Sequence, residues 1–350
     1  MYESFYGLQE RPFDLTPDPR YLFLTPKHQE ALTNLHYGIT QRKGVTMVLG
    51  PAGTGKTTLV RAALAAVAEG GGHCISVSNP TLTRAEFVEL LARGFSLSPA
   101  AAGSKTTLLA ELEVRLREYL AAGMATALVI DEAQGMSGTL LEEIRLLANQ
   151  ETTTRRLLPV VLAGQPELSY RLNETSLRQL KQRVTLRCEV TPFDLRQTAA
   201  YIGHRVRVAG GDAGRLFTRE AVMLIHERSA GIPRTVSVIC DNALLTGFAL
   251  GRQPIDAAII REVAIDFDLA APLSDHTTFE HYAPEIGAAP EALSVAEPDL
   301  REPETELVEA DPEPVEPEAP PAPRVAAEHD RELFFAFKGR PRFSLFGRRT

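Results

Sequence analysis

The chain has 350 residues, three cysteines and a net charge of −8, and at roughly 100 to 200 residues per domain it has room for two domains and a tail. Cys74, Cys188 and Cys240 are odd in number, far apart and free of CxxC spacing, which excludes a disulfide framework and points to reduced, mostly buried thiols in the cytosol. Residues 1 to 270 hold 29 basic and 28 acidic side chains whereas residues 271 to 350 hold 8 and 17, so the globular part lacks the basic excess of a protein that grips duplex DNA by its phosphates.

The opening residues Met1 to Tyr6 have neither a basic start nor an apolar core, and the uncharged stretch around Tyr119 to Ile130 is too short for a bilayer. The first predicted strand is Val45 to Leu49. Directly behind it, Gly50, Pro51, Ala52, Gly53, Thr54, Gly55, Lys56, Thr57 and Thr58 form a complete GxxxxGK[ST] loop, and a helix from Lys56 to Glu69 follows. A polyphosphate needs backbone N–H groups curled around it, which the glycines permit. Lys56 adds a point charge for the β and γ phosphates, Thr57 a hydroxyl for Mg²⁺, and the helix directs the positive end of its dipole at the same anion. Chance produces the four fixed positions in roughly one chain of this length in a hundred, and the strand before and helix after them match the context that the chemistry requires. The segment therefore predicts a nucleoside triphosphate with magnesium.

Further apolar runs follow at His73 to Val77, Thr126 to Ile130, Pro159 to Ala163 and Thr185 to Val190, with helices between them at Lys105 to Ala122 and Thr139 to Gln150. Alternating strands and helices predict an α/β fold with a parallel sheet covered on both faces. The run Thr126 to Ile130 ends in Asp131 and Glu132, about 75 residues after the loop. One carboxylate for metal and one for water suffice for phosphoryl transfer, so Asp131 is read as the Mg²⁺ holder and Glu132 as the residue that orients the attacking water. Gln165, after Pro159 to Ala163, stands either as a turn residue or as a sensor of the γ phosphate.

From Asp194 the pattern is helical alone, with Asp194, Thr218 and Asp256 as caps and Pro233 at a helix start. Arg234 lies in the first turn of that helix, where it either is solvated or reaches back over the nucleotide. Residues 284 to 323 contain ten prolines among acidic residues, a composition that predicts an extended linker. In the last residues Phe334, Phe335, Phe337, Phe343 and Phe346 alternate with Lys338, Arg340, Arg342, Arg348 and Arg349, which reads either as an unstructured sticky end or as a peptide that docks on a membrane surface or a partner. The scattered histidines have no metal-ligand spacing, and no serine nucleophile elbow or Cys–His signature is present.

The segments Phe5-Tyr6-Gly7-Leu8, Arg11-Pro12-Phe13, Thr16-Pro17-Asp18-Pro19-Arg20-Tyr21, His28-Gln29-Glu30-Ala31-Leu32, Asp131-Glu132-Ala133-Gln134, Gly164-Gln165-Pro166-Glu167-Leu168 and Gly231-Ile232-Pro233-Arg234 together resemble the AAA+ ATPases of the secretion-pathway protein A (ExeA) type and their relatives encoded beside exosortase and exopolysaccharide export systems. The resemblance implies an ATPase using ATP and Mg²⁺, with sensor 1 at Gln165 and sensor 2 at Arg234. It further implies an N-terminal segment near the adenine, and a homo-oligomer whose sites borrow an arginine finger, Arg183 by first choice and Arg178 by second. The expected division is an ATPase domain with the N-terminal segment over 1–192, a helical lid over 193–269, the acidic linker over 270–331 and the basic aromatic peptide over 332–350. Secretion-type members continue into a membrane span and a peptidoglycan-binding domain that this sequence lacks, so the cytoplasmic exopolysaccharide-associated relatives are the better fit. The expected role is thus ATP-driven conformational change in envelope secretion or exopolysaccharide export, at the inner membrane if the C-terminal peptide docks there. A DNA-acting regulator of the transposition type and a low-turnover scaffold are the alternatives, and no nucleic acid is expected.

Overall fold

Five short apolar runs become strands β1 (Val45–Leu49), β2 (His73–Val77), β3 (Thr126–Ile130), β4 (Val160–Gly164) and β5 (Val184–Glu189) in a computed structural model that describes residues 1–16 and 18–269. The strands form one parallel sheet in the order β2-β3-β4-β1-β5. The fourth and fifth strands are offset by one residue from the spans that the sequence predicts. The acidic linker and the basic aromatic peptide lie outside the described residues.

Side chains along a strand alternate between faces, so each strand feeds two cores. On one face Val48, Val129 and Val161 meet Leu35 and Ile39 of α1 (Pro26–Thr40) and Leu59 and Ala63 of α2 (Lys56–Glu69). On the other face Met47, Leu49, Ile130 and Leu162 meet Phe87 and Leu91 of α3 (Arg84–Gly94), Leu112 and Leu116 of α4 (Lys105–Ala121) and Ile144 of α5 (Gly138–Leu147). Leu108, at the same face of α4 as Leu112 and Leu116, is buried in this core as well. Burial pushes the Cys74 thiol up to about 11 and raises those of Cys188 and Cys240, which keeps all three protonated.

Four longer helices follow: α6 (Leu195–Val208), α7 (Arg219–Ser229), α8 (Pro233–Ala249) and α9 (Ala257–Asp266). The predicted caps operate as such. Asp194 forms a reciprocal capping box with Gln197, the Thr218 hydroxyl accepts from the Ala221 N–H, and Asp256 accepts from Ala258 and Ile259. One boundary needs correction. The N-terminal segment, expected to join the ATPase domain, places Tyr2, Tyr6, Leu8 and Phe13 in the same core as Ile202, Phe217, Ile239 and Ile260 of the helical unit. The reason is apolar area: four small helices alone leave a face uncovered, and the aromatic N-terminus closes it.

Candidate functional site

The phosphate loop joins β1 to α2 at the C-terminal edge of the sheet, beside the ends of β3 and β4. Gly53 and Gly55 have φ of +78° and +98°, a region that side chains with a Cβ rarely enter. Gly55 caps α2 in that conformation and leaves the N–H groups of its first turn facing the loop's hollow. Lys56 is buried, and its Nζ donates to the carbonyls of Gly50 and Pro51 at 2.9 and 3.0 Å. Burial pulls its ammonium below the ordinary value, against the opposing attraction of Glu132 and Asp131.

Thr57 and Asp131, 74 residues apart in sequence, meet in space. The Thr57 hydroxyl donates to Oδ2 of Asp131 at 2.7 Å. A hydroxyl and a carboxylate in contact are hard oxygen donors suited to Mg²⁺, which keeps several ligands from water and phosphate. Glu132 follows with φ of +52°, a left-handed conformation that costs a non-glycine residue energy and that clusters at functional sites. The Glu132 carboxylate accepts from Gln134 Nε2 at 2.6 Å, and Gln134 Oε1 accepts from the Gln165 N–H at 3.0 Å. Gln134 thus ties the ends of β3 and β4 together, a role that its place in the Asp-Glu-Ala-Gln motif does not disclose. Gln134→Ala is expected to lower turnover by about tenfold, the scale of one hydrogen bond to a charged group, with little change in KM for ATP. An equal loss of nucleotide affinity in binding measurements would make its role structural.

A cavity of about 440 Å³ extends from the loop, lined among others by Lys56, Thr57, Glu132, Phe193 and Arg234 and by Leu15, Tyr21 and Phe23 of the N-terminal segment. The lid touches the loop directly, since the Arg234 N–H donates to the Gly53 carbonyl at 3.3 Å. Arg234 is exposed and borders the nucleotide cavity, in the first turn of α8. Arg205 of α6, which no sequence motif singles out, is 8% exposed. It donates to the Tyr201 hydroxyl at 2.8 Å and the Asp14 carbonyl at 2.9 Å, and stacks over Tyr21 with its guanidinium 4.8 Å from the ring centroid. It pins the N-terminal segment to the lid beside the cavity.

His28, in the wall of the same cavity, supports the loop. Its Nε2 faces the Thr54 carbonyl at 3.1 Å, so that nitrogen carries the proton, and Nδ1 accepts from the Thr25 hydroxyl at 2.6 Å. Burial holds His28 below its ordinary value, and burial shifts His204 the same way. When unfolded, a histidine protonates near pH 6.5. The unfolded state therefore binds more protons just below that pH, and stability falls as pH drops through it toward the lowered folded value. Urea midpoints between pH 7.5 and 5.5 are expected to decline, less steeply for His28→Gln; equal slopes in variant and parent would remove His28 from the effect.

Arg183 lies elsewhere. Its carbonyl accepts the Val45 N–H at 3.0 Å, at the start of β1, whereas the phosphate loop begins after Leu49. A five-residue strand spans about 16 Å, so Arg183 is remote from the nucleotide cavity of its own chain. Arg178 is exposed at the start of the short helix Arg178–Lys181.

Residues 39–172 match a family model described as AAA domain. General secretion pathway protein A of Aeromonas hydrophila is 38% identical over 255 residues, 73% of this chain and 46% of that protein. The chain thus spans about half the length of that curated relative. Among solved structures, the ORC2 protein of Aeropyrum pernix in its ADPNP–ADP complexes superposes with a TM-score of 0.56 at 16% identity, over 76% of this chain and 74% of that one. Cdc6p from Pyrobaculum aerophilum gives 0.58 at 17% over 73% and 70%, and Drosophila ORC bound to DNA gives 0.55 at 18% over 73% and 64%. At such identities these structures show the shared fold alone.

Proposed function

This chain belongs to the AAA+ ATPases of the general secretion pathway protein A type, and from that premise we propose that it hydrolyses ATP with Mg²⁺ to drive conformational change in an envelope secretion system. The observation that carries the reading is the meeting of Thr57 with Asp131 at 2.7 Å beside buried Lys56, at a cavity that Glu132 and the lid complete. Lys56 exchanges the Gly50 and Pro51 carbonyls for phosphate oxygens, so its charge is held in place before the anion arrives. Thr57 and Asp131 would hold Mg²⁺, which when bound would supply charge neutralisation. Glu132, braced by Gln134, orients and polarises the water, Gln165 marks the γ phosphate from the end of β4, and Arg234 carries nucleotide state into the lid.

Because Arg183 is remote from its own cavity, we read it as a finger for a neighbouring subunit in a homo-oligomer. Exopolysaccharide export is the pathway we favour, on the motifs shared with ATPases encoded beside exosortase and exopolysaccharide systems. A cytoplasmic position follows that reading, with the C-terminal peptide meeting the inner membrane or a partner. Among the described residues no helix is long and apolar enough to cross a membrane. No observation of the site favours a DNA-acting role, since the likeness to a DNA-bound structure shows the fold alone. The test is phosphate release from ATP by the full chain, with and without a magnesium chelator. Turnover that the chelator abolishes is expected, and failure to bind ATP at all would overturn the reading. Loss of exopolysaccharide secretion on deletion of the gene tests the pathway separately.

A further inference from the structure

The starts of the parallel strands lie at the edge of the sheet opposite the phosphate loop, and there a cavity of about 760 Å³ is lined by His36, Arg42, Lys43, Arg155, Arg156 and Thr185 among others, with no carboxylate among the described residues of its wall. None of these four Arg and Lys residues forms an ion pair among the described residues. Arg42 is engaged in holding the fold, since its guanidinium donates to the carbonyls of Leu157 and Met124 at 2.7 and 2.5 Å and to the Thr126 hydroxyl at 3.1 Å. Burial lowers its affinity for the proton, and the nearby charge of Arg155 adds to that. Arg156 has no such account. Its Nη1 is buried without a hydrogen-bond partner, and the guanidinium occupies space that only a glycine at 44 leaves open, since a Cβ there would lie 1.6 Å from that nitrogen.

Two other features shape the cavity. Arg155 and Arg156 sit on a tight turn held by Thr152, whose N–H donates to the Arg155 carbonyl at 2.7 Å and whose hydroxyl accepts the Arg155 N–H at 2.9 Å. The C-terminal ends of α1, α2 and α4 also point here. At about half a negative charge each, they offset roughly 1.5 of four positive charges, and the remainder is unbalanced. Arg155 is exposed and Arg156 half-buried, so both guanidinium groups are open to a ligand in part. A donor left without a partner, as at Arg156 Nη1, costs free energy, and guanidinium forks match phosphate oxygens in geometry.

We infer that this cavity is a second anion site, separate from the ATP cavity, which binds a phosphate-bearing group through Arg155 and Arg156 with Lys43 at its rim. Either a free phosphorylated anion or the headgroup of an anionic lipid supplies that chemistry. The test uses the full chain with saturating ADP and excess Mg²⁺ in every sample, so that the phosphate loop is filled. Inorganic pyrophosphate is titrated by calorimetry, and phosphatidylglycerol vesicles are compared with phosphatidylcholine vesicles by co-sedimentation. Saturable binding of pyrophosphate assigns a free anion, and selective binding to phosphatidylglycerol assigns a headgroup. In either arm the paired change Arg155→Gln with Arg156→Gln is expected to weaken binding at least about tenfold, the loss of charge-assisted hydrogen bonds, with basal ATPase unchanged. Should the pair fail to unfold cooperatively, Arg155→Gln alone, an exposed side chain, is held to the same criterion. The inference is overturned if neither probe binds saturably, if the variant binds as the parent does, or if basal ATPase is lost. Binding of duplex DNA through these arginines, with neither probe bound, overturns it as well.

Discussion

Glu132→Gln is expected to lower ATP turnover by about 10² to 10⁴, the usual contribution of a positioned acid–base group, while ATP binding is retained. The glutamine keeps the size of the side chain and a hydrogen-bond partner for Gln134, whose amide donates to Glu132 at 2.6 Å. It removes the negative charge that the proposed mechanism uses to polarise water. Binding of a fluorescent ATP analogue and single-turnover phosphate release separate the two effects. A variant that hydrolyses at the parent rate would show that the water is oriented by another group, and a variant that no longer binds ATP would show that the strained turn at φ +52° needs the carboxylate to hold the loop in place.

Arg183→Ala carries the other large effect. A trans-acting arginine contributes about 10³ to 10⁵ in rate, so turnover stimulated by assembly is expected to collapse in the variant while nucleotide affinity stays the same. The geometry supplies a sharper version of the test. Arg183 lies at the start of β5 next to Val45, at the opposite end of β1 from its own phosphate loop. If Arg183 is the proposed finger, subunits with Arg183→Ala retain an intact catalytic cavity and subunits with Glu132→Gln retain the finger. Mixing the two is therefore expected to restore part of the activity that neither has alone. Full activity of Arg183→Ala rejects the finger, and a mixture that stays silent although the subunits associate rejects its action between subunits.

How much of the fold and site is legible in the sequence depends on how local each feature is. The phosphate loop is readable because nine consecutive residues carry its backbone conformation, charge and hydroxyl. The carboxylate pair is readable because it ends an apolar strand, and the lid helices because Asp194, Thr218 and Asp256 are caps in the observed structure. Gln134 is not legible as a functional residue, because its partners Glu132 and Gln165 come together only when β3 and β4 lie side by side. His28 belongs to a family-like segment whose sequence assigns it no role, since its contact with Thr54 spans 26 positions. The N-terminal segment, expected in the ATPase core, packs in the helical one, as aromatic spacing alone does not say which apolar face is left uncovered.

The sequence by itself determined a complete phosphate-loop motif at Gly50 to Thr58 and a pair of carboxylates, Asp131 and Glu132, at the end of an apolar strand, because each is a short stretch whose pattern is complete in its own residues. Tertiary structure alone decided the rest. The strand order β2-β3-β4-β1-β5 sets Asp131 against Thr57, Gln134 between two strand ends, Arg183 away from its own cavity, and four cations around one hollow at the far edge. Those neighbours are far apart along the chain, and the contacts among them follow from which strands pair and which faces need covering, which no local pattern of residues records.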